Sequence, residues 1–110
     1  MTQGVKNDSG KLRMSLLPIE PLTEVLTILE FGAVKYAPEN WRYVDNARTR
    51  YFDAAQRHII AWWQGEQTDS ESGKHHLAHA VCCLMFLMWF DEKLNNTNRI
   101  LNVKEKYEAF

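Results

Sequence analysis

The chain is short of cysteine, proline and glycine, with two, three and five of them in 110 residues, and neither sign of charge dominates. Cys82 and Cys83 are adjacent in an apolar run of helical character, and neighbours on a helix point apart, so they do not readily bridge. Free thiols fit a reducing compartment, and a cytoplasmic location is the expectation. Lys and Arg number 13 against 14 Asp and Glu, a formal charge of -1. No global positive field therefore exists to hold duplex nucleic acid, and any anion site is local. No apolar run reaches the roughly 20 residues of a membrane span, because Ala80 to Phe90 is followed by Asp91-Glu92-Lys93. Met1 to Asp8 likewise lacks the apolar stretch of a secretion signal. Period-two alternation and Asn-Gly or Asp-Gly turns are missing, so strands have no strong candidate. Walker loops, Gly-x-Gly-x-x-Gly, Cys-x-x-Cys and Gly-x-Ser-x-Gly are missing too.

What is present is the composition of a globular domain, 45% hydrophobic and 12% aromatic. At 12.9 kDa size scaling predicts a folded surface of roughly 6,300 Å² against roughly 18,700 Å² extended, so that about two-thirds is buried. Helical spacing recurs in Leu22, Val25, Leu26, Leu29 and Ala33, predicting a first helix from about Ile19 to Tyr36. Ala37 to Ala47 reads as an aromatic loop. Tyr51, Ala54, Ala55, His58, Ile59 and Trp62 share a face of a second helix that Gly65 ends, with Asp53 and Arg57 spaced for an i,i+4 pair. Lys74 to Leu94 is apolar almost all round, as in a central helix, and Asn95-Asn96 is expected to stop it before a short helix sharing Ile100, Val103 and Tyr107. The fold class is thus all-α, a small bundle of three to four helices. Residues 1–110 form one domain, with 1–15 an extended arm and 96–110 a short C-terminal helix or tail. The arm either docks by its leucines while presenting Lys11 and Arg13 or is a solvated tail. The number of Trp and Phe predicts a homo-oligomer.

Two clusters carry chemistry. His58, Glu66, Asp69, Glu71, His75, His76 and His79 surround one helix–loop–helix junction, and His75/His79 or His76/His79 share a helix side, as a metal site requires. Carboxylates capping the third helix and histidines bonded within the bundle are the alternative. The second cluster, Lys35, Tyr36, Asn40, Trp41, Arg42, Arg48, Arg50 and Arg57, has the cations and aromatics of a nucleotide pocket, or of a surface around a packed Trp. Glu20 and Glu24 at i,i+4 are spaced to coordinate Mg2+, although such pairs are usually solvated.

Gly10-Lys11-Leu12-Arg13 with Leu16-Leu17-Pro18, Phe31-Gly32-Ala33, Lys35-Tyr36 and Asn40-Trp41 begin an ordered set of residues. The set continues through Arg50-Tyr51, Arg57-His58, Trp63, Gly65-Glu66, Asp69, Glu71-Ser72-Gly73 and His76-Leu77-Ala78-His79-Ala80. It resembles the phage-associated dATP/dGTP diphosphohydrolase N-terminal family, which is similar to the all-α MazG-like pyrophosphohydrolases. The resemblance implies release of pyrophosphate from purine (deoxy)nucleoside triphosphates with Mg2+ or Mn2+, in the cytoplasm of an infected bacterium. The MazG-like Glu-Glu-x-x-Glu and Glu-x-x-Asp helices are absent, and Glu66-Gln67-Thr68-Asp69 carries the second spacing in a loop. Imidazoles such as His58, His76 and His79 suit Mn2+, Zn2+ or Fe2+ better than Mg2+.

On this reading Glu71, Asp69 and His58 are the candidate catalytic residues. Glu24, Glu66, Asp69, Glu71, His76 and His79 are the candidate metal ligands. Lys11, Arg13, Lys35, Tyr36, Asn40, Trp41 and Arg57 would bind the nucleotide. The alternative from another class is a phage protein that sequesters a (cyclic) nucleotide immune signal without cleaving it; convergent carboxylates would favour hydrolysis.

Overall fold

A computed structural model describes the backbone of residues 2–108 and the side chains of residues 2–94. Among the described residues three α-helices make up the fold and no strand occurs. Helix α1, Ile19–Lys35, starts behind Pro18 and carries Pro21 in its first turn, where no amide hydrogen is needed. It stops one residue earlier than anticipated, where the Tyr36 N–H returns to the Gly32 carbonyl. Asn46, at φ 54°, turns the chain into α2, Ala47–Trp63. Asparagine tolerates that left-handed backbone better than most residues. Gly65, at φ 103°, turns the chain out again.

Helix α3 runs from His76 to Glu108. It continues through Asn95-Asn96, because interior asparagine costs a helix well under about 1 kcal/mol per residue. The face formed by Ile100, Val103 and Tyr107 lies outside the described side chains.

Helix α3 is the spine, packing along α2 on one side and α1 on the other, while α1 and α2 scarcely meet. Val25 and Ile28 of α1 interlock with Ala78 and Cys82 of α3, flanked by Leu29 and Phe86. On α2 the buried positions are Ala47 and Ala55, small residues that allow close approach of the helices. The open space between α1 and α2 is roofed at one end by the 3-10 turn Asn40–Tyr43. There the Trp41 ring stacks on Phe86 at 4.5 Å and meets Trp89 edge-on at 5.0 Å.

The arm does not dock. Leu12 is 93% exposed, and the arm's backbone bonds are local, from Leu16 N–H to Arg13 and Leu17 N–H to Met14. Nothing in that pattern ties it to the helices. The accessible surface is 9380 Å², against roughly 6,300 Å² for a folded monomer of this mass, so about half of the extended-chain surface is buried rather than two-thirds. The radius of gyration, 19.5 Å, likewise exceeds the about 13 Å of a domain this long. Some of the open surface is apolar, with Val81, Leu84, Met85 and Met88 forming an exposed stripe on α3.

Candidate functional site

A cavity of 640 Å³ fills the gap between α1 and α2 above α3. Its apolar part is built from Leu29, Phe31, Tyr36, Trp41, Tyr51 and Phe86, and its polar end from Lys35, His58, Asp69, Glu71 and His79. Eight anticipated site residues therefore share one space: these five polar groups with Tyr36, Asn40 and Trp41.

The acidic loop reaches that space because it folds back as a tight turn. Asp69 N–H donates to the Lys74 carbonyl at 2.8 Å, and Gly73 N–H to the Asp69 carbonyl at 2.7 Å. A single antiparallel bridge pairs Thr68 with His75. Gly73 takes φ 71°, which glycine adopts without a Cβ penalty. The Asp69 carboxylate secures the turn by accepting the N–H and O–H of Ser72 on Oδ2, at 3.0 and 3.1 Å. These bonds hold its pKa below the usual value despite the opposing effect of burial.

Ser72 has a second partner, His79 Nε2, at 2.6 Å from its hydroxyl oxygen. Ionised Asp69 can only accept, so the hydroxyl donates to it and His79 donates from Nε2. The His79 ring stacks on His58 at 4.5 Å and 8°. His58 Nδ1 in turn faces His76 Nδ1 at 2.8 Å. The three imidazoles thus form a continuous cluster with Asp69 at its edge. Burial, then the proximity of His79 and His76, holds the His58 pKa down to about 4. Burial also lowers that of His79, against the pull of Asp69.

The remaining acids part company. Glu66 Oε1 stands 3.3 Å from His76 Nε2, but the alignment is poor and that buried nitrogen has no hydrogen bond. Glu71 pairs with Lys35 instead of facing the imidazoles, and that bond raises the Lys35 pKa, keeping it charged. Glu24 Oε1 accepts the His75 N–H at 3.2 Å, and His75 Nδ1 accepts the Leu77 N–H at 3.0 Å. Both bonds satisfy amides at the start of α3, so Glu24 and His75 act there as caps.

Arg57 lines a second cleft of 450 Å³ with Arg50, Asp53, Tyr36, Asn40 and Tyr51. Asp53 and Arg57 form no ion pair, contrary to their i,i+4 spacing. Lys11 and Arg13 are exposed on the undocked arm and line neither cavity. Trp41 is committed on one face to Phe86, and the Arg42 guanidinium lies 5.2 Å from its ring. Sequence reasoning gave no part to Ser72 or Phe86. The Glu71-Ser72-Gly73 segment was a signal for the first, and the unbroken apolar pattern of α3 hid the second.

The family described as "dATP/dGTP diphosphohydrolase, N-terminal" matches residues 1–99. The chain belongs to this family. It is 38% identical, over 93 residues, to a dATP/dGTP diphosphohydrolase of Salmonella phage PMBT28. That alignment covers 84% of this chain and 30% of the phage protein, so this member of the family spans under a third of that relative's length. No solved structure matches the chain. Among the described residues no helix is long and apolar enough to cross a membrane.

Proposed function

We propose that this chain is a metal-dependent nucleotide diphosphohydrolase that releases pyrophosphate from purine (deoxy)nucleoside triphosphates, with Mg2+ or Mn2+ as the anticipated ion. One observation carries the reading: the apolar and aromatic cavity ends in a cation and an imidazole–carboxylate cluster. A purine ring belongs against Tyr36, Tyr51 and Phe86, where flat apolar surface is buried at small entropic cost. Its phosphates then reach Lys35, a charge that neutralises theirs. His58, Asp69 and His76 would hold the ion, which would polarise a phosphate and make bound water more acidic. His58, its pKa held down to about 4, is neutral near pH 7 and so keeps a lone pair for that ion. The phage relative is named for dATP and dGTP, and this supports the purine preference.

A second reading is favoured by the pairing of Glu71 with Lys35. With Glu71 engaged by Lys35 and Glu66 set beyond His76, Asp69 is the acid left beside His58 and His79, and so few convergent carboxylates suit capture of a linear or cyclic nucleotide without cleavage. Incubation with dATP, dGTP and cyclic nucleotides, with Mg2+ or Mn2+, separates the two when chromatography scores product and retained ligand. Monophosphate with pyrophosphate is the expected outcome; intact nucleotide retained by the protein would replace it with the capture reading.

A further inference from the structure

The donors at the polar end of the cavity do not match a resident magnesium ion. Mg2+ takes oxygen ligands in near-octahedral array and keeps several waters. Here the acids are dispersed: Glu71 is held by Lys35, Glu24 caps α3, and Glu66 lies beyond His76. What converges is nitrogen. Ligand atoms of His58, Asp69 and His76 lie within 4.8 Å of one another, and imidazole favours Mn2+, Fe2+, Co2+ or Zn2+ over Mg2+.

The spacing of the two rings fits one shared ion. His76 is 5% exposed, and its Nε2, which makes no well-formed hydrogen bond, stands 3.3 Å from Glu66 Oε1. Its Nδ1 lies 2.8 Å from His58 Nδ1, a distance at which one ring must carry the hydrogen. It is also close to the roughly 3 Å that separates two nitrogens bound at right angles to one ion about 2.1 Å away.

We propose that His58 Nδ1, His76 Nδ1 and Asp69 form a resident site for a divalent first-row transition metal, filled in the absence of nucleotide and closed to Mg2+. With both Nδ1 lone pairs on the ion, His76 carries its hydrogen on Nε2, facing Glu66 Oε1. That is the carboxylate–histidine–metal arrangement in which the outer carboxylate orients the ring. Both bonds from Ser72 fall on Asp69 Oδ2, which leaves Oδ1 as the donor. His79, stacked on His58 and tied to Ser72, positions both ligands without being one.

The inference deepens the metal-dependent reading above and rests on it for its use, but ion binding is measured without turnover. The full chain, stripped with chelator, is titrated calorimetrically at about pH 7 with Mn2+, Co2+, Zn2+ and Mg2+ and no nucleotide. One transition-metal ion per chain is expected, with Mg2+ giving only heat of dilution. His58→Gln and Asp69→Asn keep the size of each side chain and should weaken that binding by at least about 10–100-fold, the loss that outer partners alone produce. Circular dichroism melting confirms that the variants fold, and the cobalt absorption spectrum of the wild type supplies a second readout needing no variant. Mg2+ binding as tight as Mn2+, or unchanged affinity in both variants, overturns the site. Metal bound with no nucleotide cleaved upholds the site and defeats the hydrolase reading. Cleavage with Mg2+ by a chain that binds no ion alone does the reverse.

Discussion

His58 sits among charges and rings from every element around it: His76 and His79 on α3, Asp69 in the acidic loop and Arg57 beside it on α2. Burial does most to hold its pKa at about 4 instead of 6.5, and the two imidazoles add to the effect. The unfolded chain therefore takes up a proton near pH 6.5 that the folded chain refuses until near pH 4. Between those values the unfolded state binds more protons, so stability is complete above pH 6.5 and falls as the pH is lowered. The gap of 6.5 − 4 = 2.5 pH units corresponds to at most about 3.4 kcal/mol at 1.36 kcal/mol per unit. The ring is partly open to solvent, which reduces the expected loss to about 1–2 kcal/mol. His79 is shifted the same way, whereas the depressed Asp69 carboxyl titrates below the window and the raised Lys35 above it. The assay is urea unfolding of the metal-free protein at about pH 7.5, 6.5 and 5, in wild type and His58→Gln. The variant, lacking the titration, should lose less stability on acidification by about 1 kcal/mol or more. An identical pH dependence in the two proteins would refute the reasoning, since the imidazole would then titrate alike folded and unfolded.

Ala55 is 0% exposed, so Ala55→Leu should cost about 1–3 kcal/mol by overpacking, read as a lower melting temperature; an unchanged melt would show slack in the core. Ser72→Ala removes a hydroxyl bonded to Asp69, His79 and the Lys74 N–H. It should destabilise the loop by about 1–2 kcal/mol, with faster amide exchange at Gly73 as the check. If the Arg50–Arg57 cleft carries part of the phosphate chain, Arg57→Ala should weaken nucleotide binding by about 1.5–3 kcal/mol, and an unaltered Kd in the folded variant would remove it from the site. The exposed stripe of α3, with Met88 72% exposed, predicts a solution mass above 12.9 kDa. Sedimentation should report a multimer for wild type and a smaller species for Leu84→Lys/Met88→Lys; a wild-type monomer at micromolar concentration would contradict it.

Chain periodicity and composition determined the helices. The spacing of Val25 with Leu29 and of Ala55 with His58 and Ile59 marks buried faces because a turn of 3.6 residues repeats whatever the helix packs against. The junction of His58, Asp69 and the His75–His79 segment was legible for the same local reason: a short loop cannot carry the ends of its two helices far apart. Rotation and partner choice were beyond sequence. Whether His75 or His76 faces His58 depends on how α3 turns about its own axis, which the seating of Ala78 and Cys82 against Val25 and Ile28 settles. Glu71 meets Lys35 across 36 residues of chain, an encounter set by the placement of α1 over α3 and by no local pattern. The arm shows the same limit, since Leu12 and Leu16 have docking composition but find no surface on their own chain. Local preferences act within a turn or two of helix; the burial of His76, the pairing of Glu71 and the orientation of Asp69 arise only once three helices share one volume, and tertiary packing decides them.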